Sequence, residues 1–163
     1  MKDFKSILLA EDSPEDVKLT LTALSEDNLA NDVVVVRDGA EALDYLYYRG
    51  QFKERAAGNP VVILLDLKMP KIDGLGVLRT IKADETLKMI PVVMLTSSRE
   101  EPDLVESYQL GINAYVVKPV NFQEFIWAVK QLGVFWALLN ERPRGSVTLT
   151  KSMGISSLGG NPE

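Results

Sequence analysis

Glu11 and Asp12, Asp66, Thr96 and Lys118 each follow directly on an apolar run. The segments are Leu9-Ala10-Glu11-Asp12, Leu64-Leu65-Asp66-Leu67-Lys68-Met69-Pro70, Val93-Met94-Leu95-Thr96-Ser97 and Tyr115-Val116-Val117-Lys118-Pro119. Three carboxylates, a hydroxyl and an ammonium are the parts that metal-assisted phosphorylation of an aspartate needs. Clustered carboxylates repel one another, and Mg²⁺ relieves that repulsion: it is a hard cation that takes oxygen ligands, keeps several waters and bridges carboxylates to phosphoryl oxygens. Asp66 ends the most buried of the runs and is the nucleophile candidate, with Glu11 and Asp12 as metal holders and the Lys68 carbonyl completing the protein ligand set. Thr96 and Lys118 are placed to bond phosphoryl oxygens and to offset the charge that builds in the transition state.

Each residue alone has a plainer explanation. Glu11-Asp12-Ser13-Pro14 also suits the acidic start of a helix, where carboxylates complement the macrodipole. Asp66 could simply end a strand, Thr96 could be a turn hydroxyl and Lys118 a surface lysine. What singles them out is their placement together, at the ends of four strands that a common fold brings side by side.

That fold follows from the alternation of apolar runs with helix-period segments. Strands are predicted at Ser6 to Ala10, Val33 to Val36, Val61 to Leu65, Val92 to Leu95 and Ala114 to Val117, several apolar throughout, as strands covered on both faces must be. Ser13 is a natural N-cap before Pro14, with Val17, Leu21 and Leu24 on one stripe. Asp38 opens the second helix, Asp73 the third, and either a Ser98 to Glu101 capping box or Pro102 the fourth. Phe122, Ile126, Val129 and Trp136 mark the fifth. Five such repeats imply a doubly wound, five-stranded parallel sheet of flavodoxin-like order 2-1-3-4-5, with ligands beyond the carboxyl ends of the strands. Tyr48 to Asn59, polar and bounded by glycine, is predicted as a longer connection.

Composition narrows the function classes. A chain of 163 residues, 46% hydrophobic and 25% charged, suits one domain over residues 1–142 and a Gly/Ser-rich tail over 143–163, with no room there for an output domain. The net charge of −5 argues against broad nucleic-acid binding, and the lack of a long apolar run argues against a membrane span, so a cytoplasmic protein is expected. Without cysteine there is no thiolate nucleophile or Cys-based metal site. Without histidine the chain cannot be a histidine kinase or a phosphohistidine carrier, and any such phosphoryl group must arrive from a partner.

From Lys5 to Asn140, through Glu11-Asp12, Asp66 to Pro70, Asp73-Gly74, Thr96-Ser97 and Lys118-Pro119, the chain resembles a receiver domain of the two-component response-regulator family. The resemblance implies that Asp66 accepts phosphate from a histidine kinase, that Lys118-Pro119 is cis, and that Thr96 with Tyr115 forms the switch pair. It implies a phosphoacceptor that assists its own phosphotransfer and slow dephosphorylation, not an enzyme. Glu11 stands where many members carry aspartate. The insertion from Tyr47-Tyr48 to Asn59 and the ending Leu132 to Glu141 resemble the stand-alone regulators paired with bacterial phytochrome kinases. Lys68, in a variable position of the family, is long enough to fold over a phosphoryl group and obstruct an attacking water.

Rival readings fare worse. A flavin binder needs a phosphate-cradling loop where this chain has Glu11 to Asp16, and a haloacid-dehalogenase-like phosphatase needs an aspartate where Lys68 stands. A degenerate receiver that only binds proteins would have little reason to keep all five polar residues.

The fifth helix carries a further expectation. At about 100° per residue, Phe122, Phe125, Ile126, Val129, Leu132 and Trp136 fall on the side that meets the sheet, while Trp127, Val134 and Leu138, flanked by Phe135, fall opposite. Such an apolar outer stripe marks a contact surface, and a two-fold homodimer is the expected occupant.

Overall fold

The valine- and leucine-rich runs form strands because residues of a strand point alternately to two faces, and here both faces are covered. A computed structural model describes residues 6–25, 32–99, 101–112 and 114–132. Strands β1 (Ile7–Ala10), β2 (Val33–Val36), β3 (Val62–Asp66), β4 (Val92–Thr96) and β5 (Ala114–Val117) alternate with helices α1 (Pro14–Leu24), α2 (Gly39–Leu46), α3 (Gly74–Ala83), α4 (Asp103–Leu110) and α5 (Phe122–Leu132). The sheet is parallel in the expected order β2-β1-β3-β4-β5.

The alternation divides each strand between two cores. Leu8, Ala10, Ile63, Leu65, Val92 and Met94 pack with α2, α3 and the Leu104 side chain of α4. Ile7, Leu9, Val62, Leu64, Val93 and Leu95 pack with Val17 and Leu24 of α1 and with Phe125, Ala128 and Val129 of α5. Each large aliphatic group so buried stabilises the fold by about 1.5–3 kcal/mol, which forces the polar residues of these segments to the strand ends.

The expected caps are present: Ser13 Oγ accepts from the Asp16 N–H at 3.2 Å, an Asp38 Oδ from Glu41 at 2.7 Å and an Asp73 Oδ from Gly76 at 2.9 Å. Of the two starts considered for the fourth helix, the structure takes Pro102, which occupies the N-cap position without a capping side chain. The strand limits shift by one residue. Ser6 and Val61 precede their strands, whereas Asp66 and Thr96 are the last residues of theirs, because Leu67 N–H still bonds Leu95 O at 3.0 Å and Lys118 N–H bonds Thr96 O at 2.7 Å.

The connection after α2 is more organised than its polar composition suggests. A single 3₁₀ turn at Gly50–Phe52 sets Phe52 edge-on to Tyr45, ring centroids 5.1 Å apart. The Arg55 guanidinium lies between the Tyr45 and Tyr48 rings, 3.9 Å from each centroid, and donates to the carbonyls of Tyr45 (2.7 Å), Ala56 and Gly58 (both 2.9 Å). A cation over a ring contributes about 0.5–2 kcal/mol, and here two rings and three carbonyls share one side chain.

Gly74 holds the phosphoacceptor candidate in place. Its N–H bonds Leu67 O at 3.0 Å, and a Cβ there would lie 2.4 Å from the Asp66 carbonyl oxygen and 2.8 Å from Leu67 Cα. Only glycine lets α3 start this close to the end of β3.

Candidate functional site

Parallel pairing of β1 with β3 brings Glu11 and Asp12 to the same edge as Asp66. One carboxylate oxygen from each of Glu11, Asp12 and Asp66 lies within 4.8 Å of the others. Glu11 and Asp66 are buried and Asp12 is exposed, so the cluster opens to solvent on the Asp12 side. Glu11 is fixed by the Ser13 N–H, which donates to Oε2 at 3.1 Å.

Lys118 enters from the end of β5. Its ammonium is 3.2 Å from Glu11 Oε1, 3.1 Å from Asp16 Oδ2 and 3.2 Å from Asp66 Oδ1. The Lys118-Pro119 peptide is cis, as the family resemblance implies. Burial works against the lysine's charge, but the charges of Asp66 and Glu11, with the hydrogen bonds the ammonium donates to Asp16 and Asp66, outweigh it and hold Lys118 above the usual lysine range. Burial, followed by the hydrogen bond to Asp66 and its charge, pushes the Glu11 carboxyl up from 4.5 to about 7, against the Ser13 N–H and Lys118. One ammonium therefore does not fully compensate this set of acids. An all-oxygen donor set, crowded and anionic, with one carboxylate facing solvent, fits a small hard divalent cation that retains waters.

Thr96, buried at the end of β4, donates its hydroxyl hydrogen to the Ser98 carbonyl at 2.9 Å and accepts from the Ser98 N–H at 3.3 Å. Tyr115 is half-buried on β5, edge-on to Tyr108 with centroids 6.2 Å apart, and its hydroxyl accepts from Arg99 Nη1 at 3.4 Å. The Lys68 side chain extends away from the carboxylates, its ammonium 3.3 Å from Asp103 and 3.4 Å from Glu101 at the start of α4. As an exposed pair this contributes little to stability, but it directs the side chain elsewhere than over Asp66.

Sequence reasoning missed Asp16 as part of the site. It reads as one more acid in a helical first turn, and only the fold brings it to a lysine on the far side of the sequence. Trp127 is 57% exposed on α5, opposite buried Phe125, Ala128 and Val129, as the helical projection predicts. Val134, Phe135 and Leu138 lie outside the described residues.

Among known proteins, the sequence model described as the response regulator receiver domain matches residues 7–130. Response regulator Rcp1 of Synechocystis sp. is 39% identical over 132 residues, 81% of this chain and 88% of Rcp1. The bacteriophytochrome response regulator AtBRR is 62% identical with a TM-score of 0.79, covering 86% of this chain and all of that one. The bacteriophytochrome response regulator RtBRR is 59% identical with a TM-score of 0.78, covering 88% of this chain and 87% of that one. Rcp1 has also been solved in a Mn²⁺-bound form, 37% identical with a TM-score of 0.67, covering 86% of this chain and all of that one.

Proposed function

Because the chain belongs to the response regulator receiver family, we propose that it is a cytoplasmic regulator that accepts a phosphoryl group on Asp66 from a histidine kinase of the phytochrome type. The observation that carries this reading is the Asp66 carboxylate itself, buried at a strand end, 3.2 Å from Lys118 and converging with Glu11 and Asp12. Glu11, Asp12, Asp66 and the Lys68 carbonyl would hold Mg²⁺, which supplies charge neutralisation for the transferring phosphoryl group. An Asp66 carboxylate oxygen attacks phosphorus, the bond from phosphorus to the kinase imidazole nitrogen breaks, and that nitrogen keeps the electron pair. Lys118 stabilises the negative charge on the equatorial oxygens. Treatment with acetyl phosphate and Mg²⁺ should add one phosphoryl mass on the peptide containing Asp66, and chelation should suppress it. Labelling elsewhere, or none, would sink the reading.

The output proposed is a contact. Drawing the Thr96 hydroxyl toward a phosphoryl oxygen breaks its bond to the Ser98 carbonyl, and Tyr115 then turns inward, changing the surface of α4, β5 and α5. A two-fold homodimer through α5 reads out that surface, supported by the exposed Trp127 indole. Sedimentation is expected to show a wild-type dimer whose stability changes on phosphorylation, a Thr96→Ala dimer that labels but does not respond, and a monomeric Trp127→Glu protein. A dimeric Trp127→Glu protein would remove α5 from the interface, and an equal response of Thr96→Ala would remove Thr96 from the switch.

A further inference from the structure

We infer that Asp16 is a positioning residue that keeps the Lys118 ammonium beside Asp66 when a divalent cation claims Glu11 and Asp66. The inference rests on the reading of Asp66 as phosphoacceptor.

A lysine ammonium has three donors and no acceptor. In this structure they meet three carboxylates, those of Glu11, Asp16 and Asp66, at 3.1–3.2 Å. Two of these belong to the converging trio that fits a metal, and Asp16 does not. Asp16 comes instead from the first turn of α1, where its N–H is fixed by the Ser13 cap. Its carboxylate is thus anchored to a helix, independently of the two strand ends.

The difference matters once the cluster binds a cation. A divalent ion draws on two of the same carboxylates as the ammonium and repels it at short range. Lysine is a point charge on a flexible four-carbon stem and gains side-chain entropy on leaving. With only Glu11 and Asp66 as partners, Lys118 would lose its hold as the metal bound. Asp16 supplies the one partner the metal does not use, and leaves the remaining donors to turn toward phosphoryl oxygens.

Four proteins test this: Asp16→Asn, Asp16→Glu, Lys118→Ala and the double variant Asp16→Asn with Lys118→Ala, all checked for a cooperative melt. At saturating Mg²⁺, acetyl-phosphate labelling of Asp66 should slow about tenfold in Asp16→Asn and recover to within about threefold of wild type in Asp16→Glu. In the Lys118→Ala background, Asp16→Asn should change the rate by less than about twofold, since Asp16 acts through the lysine. A role confined to the α1 macrodipole would lower the melting temperature in both backgrounds without this coupling. The second readout needs no phosphorylation: acylation of Lys118 by an amine reagent, followed by peptide mass. Adding Mg²⁺ should leave that rate unchanged in wild type and accelerate it about fivefold or more in Asp16→Asn, as the untethered ammonium leaves the cluster.

An additive rate loss in the double variant, an unslowed Asp16→Asn, or equal Lys118 acylation in both proteins would overturn the inference. If Lys118 acylation behaves as expected while wild-type Asp66 never labels, the anchoring stands and the reading of Asp66 fails instead.

Discussion

Replacing Asp66 with asparagine is expected to abolish phosphorylation while raising the temperature at which the metal-free protein unfolds above pH 7. The first effect is chemical, since an amide offers no anionic oxygen to attack phosphorus and no neighbouring acid is set at the end of β3. The second follows from Glu11, whose folded value of about 7 lies above its unfolded 4.5. A carboxyl raised in this way contributes stability that is complete below 4.5 and lost as pH rises through 7, at most on the order of 3 kcal/mol. Burial is the largest cause and stays in the variant, but the hydrogen bond and charge of Asp66 are removed. The expected gain at pH 8 is about 1 kcal/mol, or roughly 2–4 °C for a chain of this size. Melts in chelator at pH 5 and pH 8 should show the gain only at the higher pH. Mg²⁺ should reverse the ranking, because the cation stabilises the form that binds it more tightly. A variant that melts lower than wild type at pH 8 without metal would contradict the charge balance argued for the site.

Replacing Lys118 with alanine is expected to act in the opposite direction on stability and to slow transfer severely. The ammonium faces Glu11 and Asp66, both buried, and removing it leaves their charges without that compensation. Breaking a buried pair from one side costs about 3–5 kcal/mol, of which protonation of Glu11 returns a part. The metal-free variant should therefore melt well below wild type above pH 7 and recover as pH falls. Added Mg²⁺ should restore much of the loss by taking over the missing charge, with an affinity no weaker than in wild type. The rate of acetyl-phosphate labelling should fall about 10²–10³-fold, the scale for losing one oxyanion partner. Labelling within threefold of wild type would remove Lys118 from the transition state, and loss of Mg²⁺ binding measured by calorimetry would make it a scaffold of the metal site instead.

The two variants depend on a constellation legible in the sequence because its geometry is carried by the backbone. Strand order and parallel register decide that residues just after β1, at the ends of β3 and β4, and just after β5 meet. The caps at Ser13, Asp38 and Asp73 were legible for the same reason, being local hydrogen bonds between near neighbours. What stayed hidden depends on side-chain direction across the fold. An acid at Asp16 has a sufficient local explanation in the helix terminus, and nothing in its neighbours announces Lys118. The Lys68 stem could have turned toward Asp66 or toward Asp103, and the acids at the start of α4 decide it. Arg55 looked solvated in a run of polar residues, since its partner Tyr45 belongs to the preceding helix and Tyr48 reaches it only through a left-handed backbone at φ 58°. The strand ends differ by one residue because an apolar run does not show where the last ladder bond falls.

The division of the central strands between two cores has a consequence for how a signal can leave the site. Amides of β3 and β4, paired on both sides and buried on both faces, are expected to exchange with solvent more slowly than those of the loops. Asp66 and Thr96 close those strands, so the phosphoacceptor and switch candidates sit at the border between the best-protected amides and the loops that follow. A perturbation arising there has a stiff side and a soft side. On the proposed switch, displacement is expected on the side of Ser98 and the start of α4, which lie outside the ladder bonds, with the sheet behind as the fixed reference against which it is measured.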